Sequence, residues 1–370
     1  MRKKRLIQSP LLYSISLLVS SSVTIQPEFT TFINNLFRFQ EMQILLYLAP
    51  VLGFVAAFVS TPLWIRYLKR VGLVVPDKNK KNQPKIPLSG GLAVMTGLLA
   101  GIMLYIFVQI FYYDRGGQGS LLLMFAALTT IILITFIGFL DDLIVNKHIG
   151  ASTGLKKWQK PLLTLLTAVP LMAVKAGTTI FYLPFFGQVD AGILYPLFFV
   201  PLGIVGASNM INMLAGYNGL EAGMGLVYTG MLSVYAYANG RFAAAAIGII
   251  AFAALLAFFY YNKYPAKIFP GDSLTYFLGA TLVSMAILGN IEKAALICSI
   301  PFFVEAILKA RSGFKAKSYG YIKDGKIHSF YDKIYSIPHF FAITGKFTEK
   351  QIAYFCIAIE LFFSSLIWIL

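Results

Sequence analysis

Runs of roughly 17 to 25 apolar residues recur along the chain, each long enough to cross the roughly 30 Å hydrocarbon layer of a bilayer as a helix. Short, mostly basic loops separate them. With 58% apolar and only 12% charged residues, the 370-residue chain lacks the polar surface a water-soluble fold needs. Strict apolar/polar alternation is absent, which argues against a membrane barrel. The expected class is therefore all-α: a polytopic integral membrane helix bundle.

Ten main spans are expected, over residues 43–65, 88–112, 120–140, 160–176, 192–209, 220–238, 242–261, 273–289, 294–309 and 350–370. They make a membrane domain over 42–370, preceded by an extension over 1–41. Within the extension, residues 10–25 form a weaker, Ser-rich apolar stretch. It is either an uncleaved extra crossing behind Arg2-Lys3-Lys4-Arg5 or a cleaved signal peptide with small residues at Ser20 to Ser22. Cys298 and Cys356 lie inside apolar runs without metal-like spacing, so both are expected to be buried thiols and no disulfide framework exists.

The net charge of +16 would suit nucleic acid, but the Lys and Arg residues are spread over loops rather than gathered on a polar domain. Topology and anionic substrates explain them better, and no nucleic-acid partner is expected. Residues 66–87 carry Arg66, Lys69, Arg70, Lys78, Lys80, Lys81 and Lys85, whereas the next loop offers only Arg115 beside Asp114. Residues 141–160 are basic again, with Lys147, Lys156, Lys157 and Lys160, and 310–349 more strongly so. By the positive-inside bias, the loops 66–87, 141–160, 209–219, 262–272 and 310–349 face the cytoplasm.

Three polar islands fall on that same face: Asp141-Asp142, Asn209 to Asn212 running into Asn218-Gly-Leu-Glu221, and Phe269-Pro-Gly-Asp272. Adjacent carboxylates at a membrane boundary repel each other and are costly to desolvate, so they point to a cation or a proton-transfer task; a solvated pair ending a helix is the plain alternative. Asn209 and Asn212, three apart, would share one side of a helix and present their amides together, or simply cap it. Oxygen donors without a His or Cys cluster suit Mg2+, with Mn2+ as a substitute, completed by phosphates and water. Lys160, Lys315 and Lys317 could balance phosphate charge, although each alone reads as a topological anchor. His148, His328 and His339 share no ligand spacing. Glu305 could reach the site from the inner end of span 9; Glu360 lies inside span 10 without an evident partner; Lys175 is expected to snorkel to the opposite interface.

Asn209-Met-Ile-Asn212-Met-Leu-Ala-Gly216-Tyr-Asn218-Gly219-Leu-Glu221, with Phe269-Pro-Gly-Asp272 and Asp141-Asp142, resembles the polyprenyl-phosphate N-acetylhexosamine-1-phosphate transferase superfamily, most of all its eukaryotic and archaeal branch acting on dolichyl phosphate. The likeness runs from about residue 43 to the end. It implies that Asn212 and Asp272 hold Mg2+, that Asp141 and Asp142 are the catalytic acids, and that Lys160 contacts a phosphate. It further implies that Asn218, with Asn209 and Glu221 in the same motif, contacts the nucleotide sugar, and that Pro76-Asp77 with Asn79 lies beside the nucleotide. Lys315 and Lys317 stand where the eukaryotic members carry an Arg-His-Arg element, so both charges survive and the His does not. Val145 occupies the third acid of the family's Asp-Asp-x-x-Asp run, and Leu88 stands where the eukaryotic form has Glu. The His-rich element of the peptidoglycan branch is missing, which disfavours muramyl-pentapeptide transfer.

The resemblance implies transfer of N-acetylglucosamine 1-phosphate from UDP-GlcNAc to a polyprenyl or dolichyl phosphate, releasing UMP, as the first step of lipid-linked oligosaccharide assembly. Another UDP-N-acetylhexosamine or undecaprenyl phosphate is the near alternative. A transporter or flippase is the distant one, which would want ionisable groups at the bilayer midplane and matching halves. The membrane would be the plasma membrane of an archaeon or the endoplasmic reticulum of a eukaryote. A homodimer, the isoprenoid length and a one-step or two-step mechanism are left open.

Overall fold

A computed structural model describes residues 27–112, 118–146, 151–152, 154–156, 158–183 and 187–369, with only the backbone over 27–46 and at 118, 145–146, 151–152 and 183. The expected crossing at 10–25 and the residues Asp114, Arg115, Lys147, His148 and Lys157 lie outside the described residues. Contacts divide the chain into two units, Met1–Leu45 and Leu46–Leu370. All side chains discussed below belong to the second.

Among the described residues, seven helices are long and apolar enough to cross a membrane. They comprise the part of α1 (Pro27–Arg70) from Tyr47, α2 (Gly91–Phe111), α3 (Gln118–Leu143), the segment Tyr195–Met213, α8 (Phe242–Asn262), α9 (Gly271–Gly289) and α13 (Glu349–Ser365) continued to Trp368. The segment Tyr195–Met213 opens with a π-helical turn, Tyr195–Phe199, and continues as α6, Val200–Met213. Helix α7 (Leu220–Ala238) matches the expected sixth span in length but is less apolar, with Glu221, Thr229 and Ser233 turned inward.

The expected fourth and ninth spans are each broken. The fourth is α4 (Gln159–Leu166) followed by α5 (Val169–Ala173), and the ninth is α10 (Glu292–Cys298) followed by α11 (Ile300–Ala310). In both, a proline falls in the first turn of the second piece, Pro170 and Pro301, where the missing N–H costs no helical hydrogen bond. Apolar content over 160–176 and 294–309 pointed to two spans; the prolines decided their continuity.

Small antiparallel hairpins fold the loops back: β1 (Val74–Pro76) with β2 (Lys85–Pro87), β3 (Val145–Asn146) with β4 (Ala151–Ser152), β5 (Ile180–Leu183) with β6 (Gly187–Asp190), and β7 (Tyr321–Lys323) with β8 (Lys326–His328). In the first, Val75 lies opposite Ile86.

Helix α9 is the centre of the bundle, packing on α2, α3, α6 and α8, with 83% of its membrane-length window buried. Small residues permit that closeness. A Cβ on Gly138 of α3 would stand 2.4 Å from the carbonyl oxygen of Asp272, so the two backbones touch where the acidic residues lie. Cys298 and Cys356 are free and buried, as their apolar setting implies.

Candidate active site

The ends of α3, α6, α9 and α13 come together with the loops over 77–80 and 214–219, and the polar islands of the sequence meet there. Asp141 and Asp142 close α3, Asn212 lies in the last turn of α6, and Asp272 opens α9. Side chains more than 100 residues apart are in hydrogen-bond contact, so they share one side of the bundle.

Lys160, in the first turn of α4, donates from Nζ to Asp141 Oδ2 at 2.7 Å and to Asp272 Oδ2 at 2.6 Å. Asn212 Nδ2 donates to the same Asp272 oxygen at 2.8 Å. The other oxygen of Asp141 accepts from the backbone N–H of Leu155, which draws the 141–160 loop back over the helix end. A single ammonium thus bridges two carboxylates carried by different helices, the arrangement in which a buried acid pair is least costly.

The neighbouring acid does different work. Asp142 Oδ1 accepts from the backbone N–H of Asp272 at 2.8 Å, and Oδ2 accepts from Ser273 N at 3.2 Å and Ser89 Oγ at 2.7 Å. Helix N-termini leave backbone N–H groups without partners and carry a partial positive charge. Asp142 therefore caps α9 from another helix and fixes the turn that aims Asp272. Gly271 permits this contact: its φ is +71°, and a Cβ there would sit 2.2 Å from Asp142 Oδ2.

A second polar cluster adjoins the first. Asn218 Nδ2 donates to Asp77 Oδ2 at 3.2 Å and to Glu349 Oε1 at 2.6 Å, while its Oδ1 accepts from Ala266 N at 2.7 Å. Asn79 Nδ2 donates to the carbonyl of Gly216 at 2.7 Å, and Lys80 pairs with Glu349. Glu221 Oε1 accepts from Gly216 N at 3.0 Å, holding the loop that carries Asn218. Tyr217, whose phenol is pushed well up by burial and so stays a neutral donor, binds the carbonyl of Ser318 at 3.2 Å. That contact ties the 310–349 loop to the motif.

Between the clusters lies a cavity of about 360 Å³, whose wall includes Asp77, Asp142, Asn212, Asn218, Glu221 and Asp272, with Lys78 and Tyr319. Such a volume suits a small-molecule ligand. Lys78, on the wall, and Lys317, exposed and off it, stand over the ring of Tyr319 at 5.5 and 5.7 Å.

Not every expected residue reaches it. Asn209 spends its amide on the Val205 carbonyl of its own helix at 2.8 Å and lies 3.4 Å from Thr164, away from the cavity wall. A three-residue spacing aligns two side chains, but an asparagine that bonds the carbonyl four residues back is turned aside. Lys315 is exposed and off the cavity wall. Glu305 accepts from Ser336 Oγ and Ile337 N, each at 2.7 Å, and pairs with Lys309 at 3.6 Å; it anchors the loop and does not reach the cavity. His339 is likewise structural, with Nε2 2.8 Å from the Lys317 carbonyl. Glu360 is buried, and among the described residues it accepts from Ser364 Oγ at 2.8 Å.

Glu349, Lys80, Lys78 and Tyr319 were not singled out from sequence. Glu349 had a signal: it is an acid at the head of an apolar run after a basic loop, the same parity that marked Asp141. The side chain of Thr348 accepts from Gln351 N and completes a capping box, which fixes Glu349 in the first turn of α13. Tyr319 had none, because nothing in 310–349 distinguishes it before the loop is folded.

The glycosyl transferase family 4 model matches residues 124–290, the stretch from α3 to the end of α9 that carries Asp141, Asp142, Asn212 and Asp272. The chain is similar to a protein of Saccharolobus solfataricus named as a candidate UDP-N-acetylglucosamine–dolichyl-phosphate N-acetylglucosaminephosphotransferase, with 33% identity over 87% of this chain and 96% of the relative. A protein of the same name from Sulfolobus acidocaldarius is 32% identical over 86% and 94%. A phospho-N-acetylmuramoyl-pentapeptide-transferase of Latilactobacillus sakei is 28% identical over 77% and 90%. Likeness over nearly the full length of the first relative, together with the family match across the acidic islands, means that the chain belongs to glycosyl transferase family 4.

Proposed function

We propose that the protein transfers N-acetylglucosamine 1-phosphate from UDP-GlcNAc to a polyprenyl phosphate of the dolichyl kind, giving polyprenyl-diphospho-GlcNAc and UMP. The observation that carries this reading is the Lys160 ammonium held between Asp141 and Asp272 beside a polar cavity at the ends of membrane-length helices. The names of the Saccharolobus solfataricus and Sulfolobus acidocaldarius relatives supply the donor and acceptor. An oxygen of the lipid phosphate attacks the phosphorus that bears the sugar. The bond from that phosphorus to the UMP oxygen breaks, and UMP leaves with the electron pair.

A metal is part of the proposal. Among the described residues, no three His, Cys, Asp or Glu side chains form a self-sufficient cage. The donor set nevertheless fits Mg2+, which takes one or two carboxylates and completes its shell with substrate phosphates and water. Asp272 would hold it, with Asn212 after a half-turn of its amide, and Mn2+ would fit the same oxygens. When bound, the ion supplies charge stabilisation on the diphosphate.

The chain's own residues do the rest. Lys160, Lys78 on the cavity wall and Lys317 beside Tyr319 offset phosphate charge. Asn218, locked by Asp77, Glu349 and Ala266, presents a fixed polar edge to the nucleotide sugar. Asp141 orients Lys160. A lipid phosphate is already largely ionised at neutral pH, so a base contributes little and orientation matters more. Both oxygens of Asp141 and of Asp142 carry hydrogen bonds, which favours direct attack over an aspartyl-phosphate intermediate. The positive-inside bias of the basic loops supports a cytoplasmic site for this chemistry, and the archaeal relatives support a plasma membrane.

The test is release of UMP by detergent-solubilised protein given UDP-GlcNAc, Mg2+ and dolichyl or undecaprenyl phosphate. No release with either acceptor would reject the reading. Labelled UMP should not exchange into UDP-GlcNAc without acceptor; exchange would establish the two-step route instead.

A further inference from the structure

A second concavity, of about 460 Å³, lies behind the catalytic turn and belongs to neither polar cluster. Arg66 and Lys69 from the last turns of α1, Lys85 from β2, and Lys267 from the loop before α9 all line it. All four side chains are exposed, and among the described residues none forms an ion pair with a carboxylate. Four cations from three separate segments repel one another, so an anion placed among them would relieve a standing cost.

The position favours a lipid over a soluble anion. On α1, Val59, Leu63 and Tyr67 are 59, 53 and 50% exposed, the mark of a face turned to lipid, and the cations begin where that face ends. The walls include Pro62, Ile65 and Ile86, apolar surface that suits the glycerol and upper acyl region of a phospholipid. Basic residues at the end of a membrane helix meet anionic head groups at that depth.

The pocket also shares a wall with the active site. Pro87 lines it, and the Pro87 carbonyl accepts from Phe269 N at 2.8 Å, while Phe269 O accepts from Gly90 N at 2.9 Å. Phe269 begins the turn that ends in Asp272. Ala266, also on the pocket wall, donates its N–H to Asn218.

We propose that this basic pocket binds the phosphodiester head group of an anionic membrane phospholipid, and that the bound lipid braces the Phe269–Asp272 turn. The proposal draws nothing from the transfer reaction, so an inactive protein would leave it standing.

Native mass spectrometry of the detergent-purified full chain, incubated with phosphatidylglycerol, phosphatidylcholine or glycerol phosphate, tests it. Phosphatidylglycerol should be retained at least about tenfold more tightly than phosphatidylcholine, and its addition should raise the apparent Tm. Each basic side chain near a membrane surface is worth about 1 kcal/mol, or roughly fivefold in affinity. Arg66→Gln/Lys85→Gln/Lys267→Gln should therefore weaken phosphatidylglycerol binding about 100-fold and abolish the Tm shift. Lys267→Gln alone, an exposed change that outside the pocket gives up only the cation over the Tyr260 ring, should cost roughly fivefold and stands in if the triple variant does not fold. Equal retention of the two phospholipids, or unaltered binding by the variants, would overturn the proposal. Saturation by glycerol phosphate at the same concentration would make this a soluble-anion site and overturn the lipid assignment.

Discussion

Replacing Asp142 by Asn separates a structural acid from a chemical one. The Asp142 carboxylate is 1% exposed and accepts from Ser89 Oγ, Asp272 N and Ser273 N at 2.7, 2.8 and 3.2 Å. An amide keeps one acceptor and places an NH2 where the other oxygen stood, so whichever way it turns, a donor of α9 or Ser89 faces a donor. Losing a hydrogen bond to a charged group costs about 1.5–3 kcal/mol. Removing the negative charge from a helix N-terminus adds about 0.3–1 kcal/mol. Asp142→Asn should therefore destabilise the protein by roughly 2–4 kcal/mol, a fall in apparent Tm of about 2.5–5 °C for a chain of this length. The assay is thermal unfolding in detergent at one scan rate, beside UMP release measured well below the transition. Asp141→Asn is the control: Lys160 keeps Asp272, so its Tm should move less than half as far. Because Asp272 hangs from the capped turn, activity and Tm should fall together in Asp142→Asn. An inactive variant with an unshifted Tm would show that Asp142 acts in the chemistry and would refute the capping argument.

Asp272→Ala should abolish divalent-ion-dependent UMP release while the protein still inserts and folds, since the carboxylate's side-chain partners Lys160, Asn212 and Asp141 keep one another or other partners; unchanged turnover would remove it from the metal site. Lys160→Gln should lower kcat about 100-fold or more, the usual effect of losing one charge-stabilising donor, and a variant within about threefold of the parent would contradict its role. Gly271→Ala combines a positive φ with a Cβ 2.2 Å from Asp142 Oδ2, so it should lose at least about 2 kcal/mol, visible as a lowered Tm. Burial holds the His339 imidazole below its ordinary value of 6.5, so the fold favours its neutral form. The stability this confers is complete above the unfolded value and is lost as pH falls through the folded one; Tm followed downward from pH 7.5 should drop less in His339→Gln.

The membrane-bundle class and the grouping of Asp141, Asn212, Asn218 and Asp272 were legible in the chain itself. Apolar run length is a one-dimensional property that bilayer thickness turns into a fold, and counting runs assigns a side to every polar island. That parity brought the islands to one end of the bundle without any contact being known. The Asp pair was also visible, but its division of labour was not. Whether a carboxylate bridges Lys160 or caps α9 depends on which helix end lies opposite, and adjacent residues on α3 face different neighbours. Asn209 shows the same limit from the other side, because its spacing matched the motif while its amide turned to its own helix.

What the sequence determined by itself was composition-driven: insertion in a membrane, the approximate spans, and the end of the bundle where polar groups collect. Only the tertiary structure decided which of those groups touch, that Lys78 and Tyr319 complete the cavity wall while Glu349 holds Asn218, that prolines divide two expected spans, and that Arg66, Lys69, Lys85 and Lys267 surround one concavity. The physical reason is range. Hydrophobic partitioning acts on a whole segment and survives uncertainty of several residues, whereas a hydrogen bond is made or lost within half an ångström and exists only once distant segments are packed.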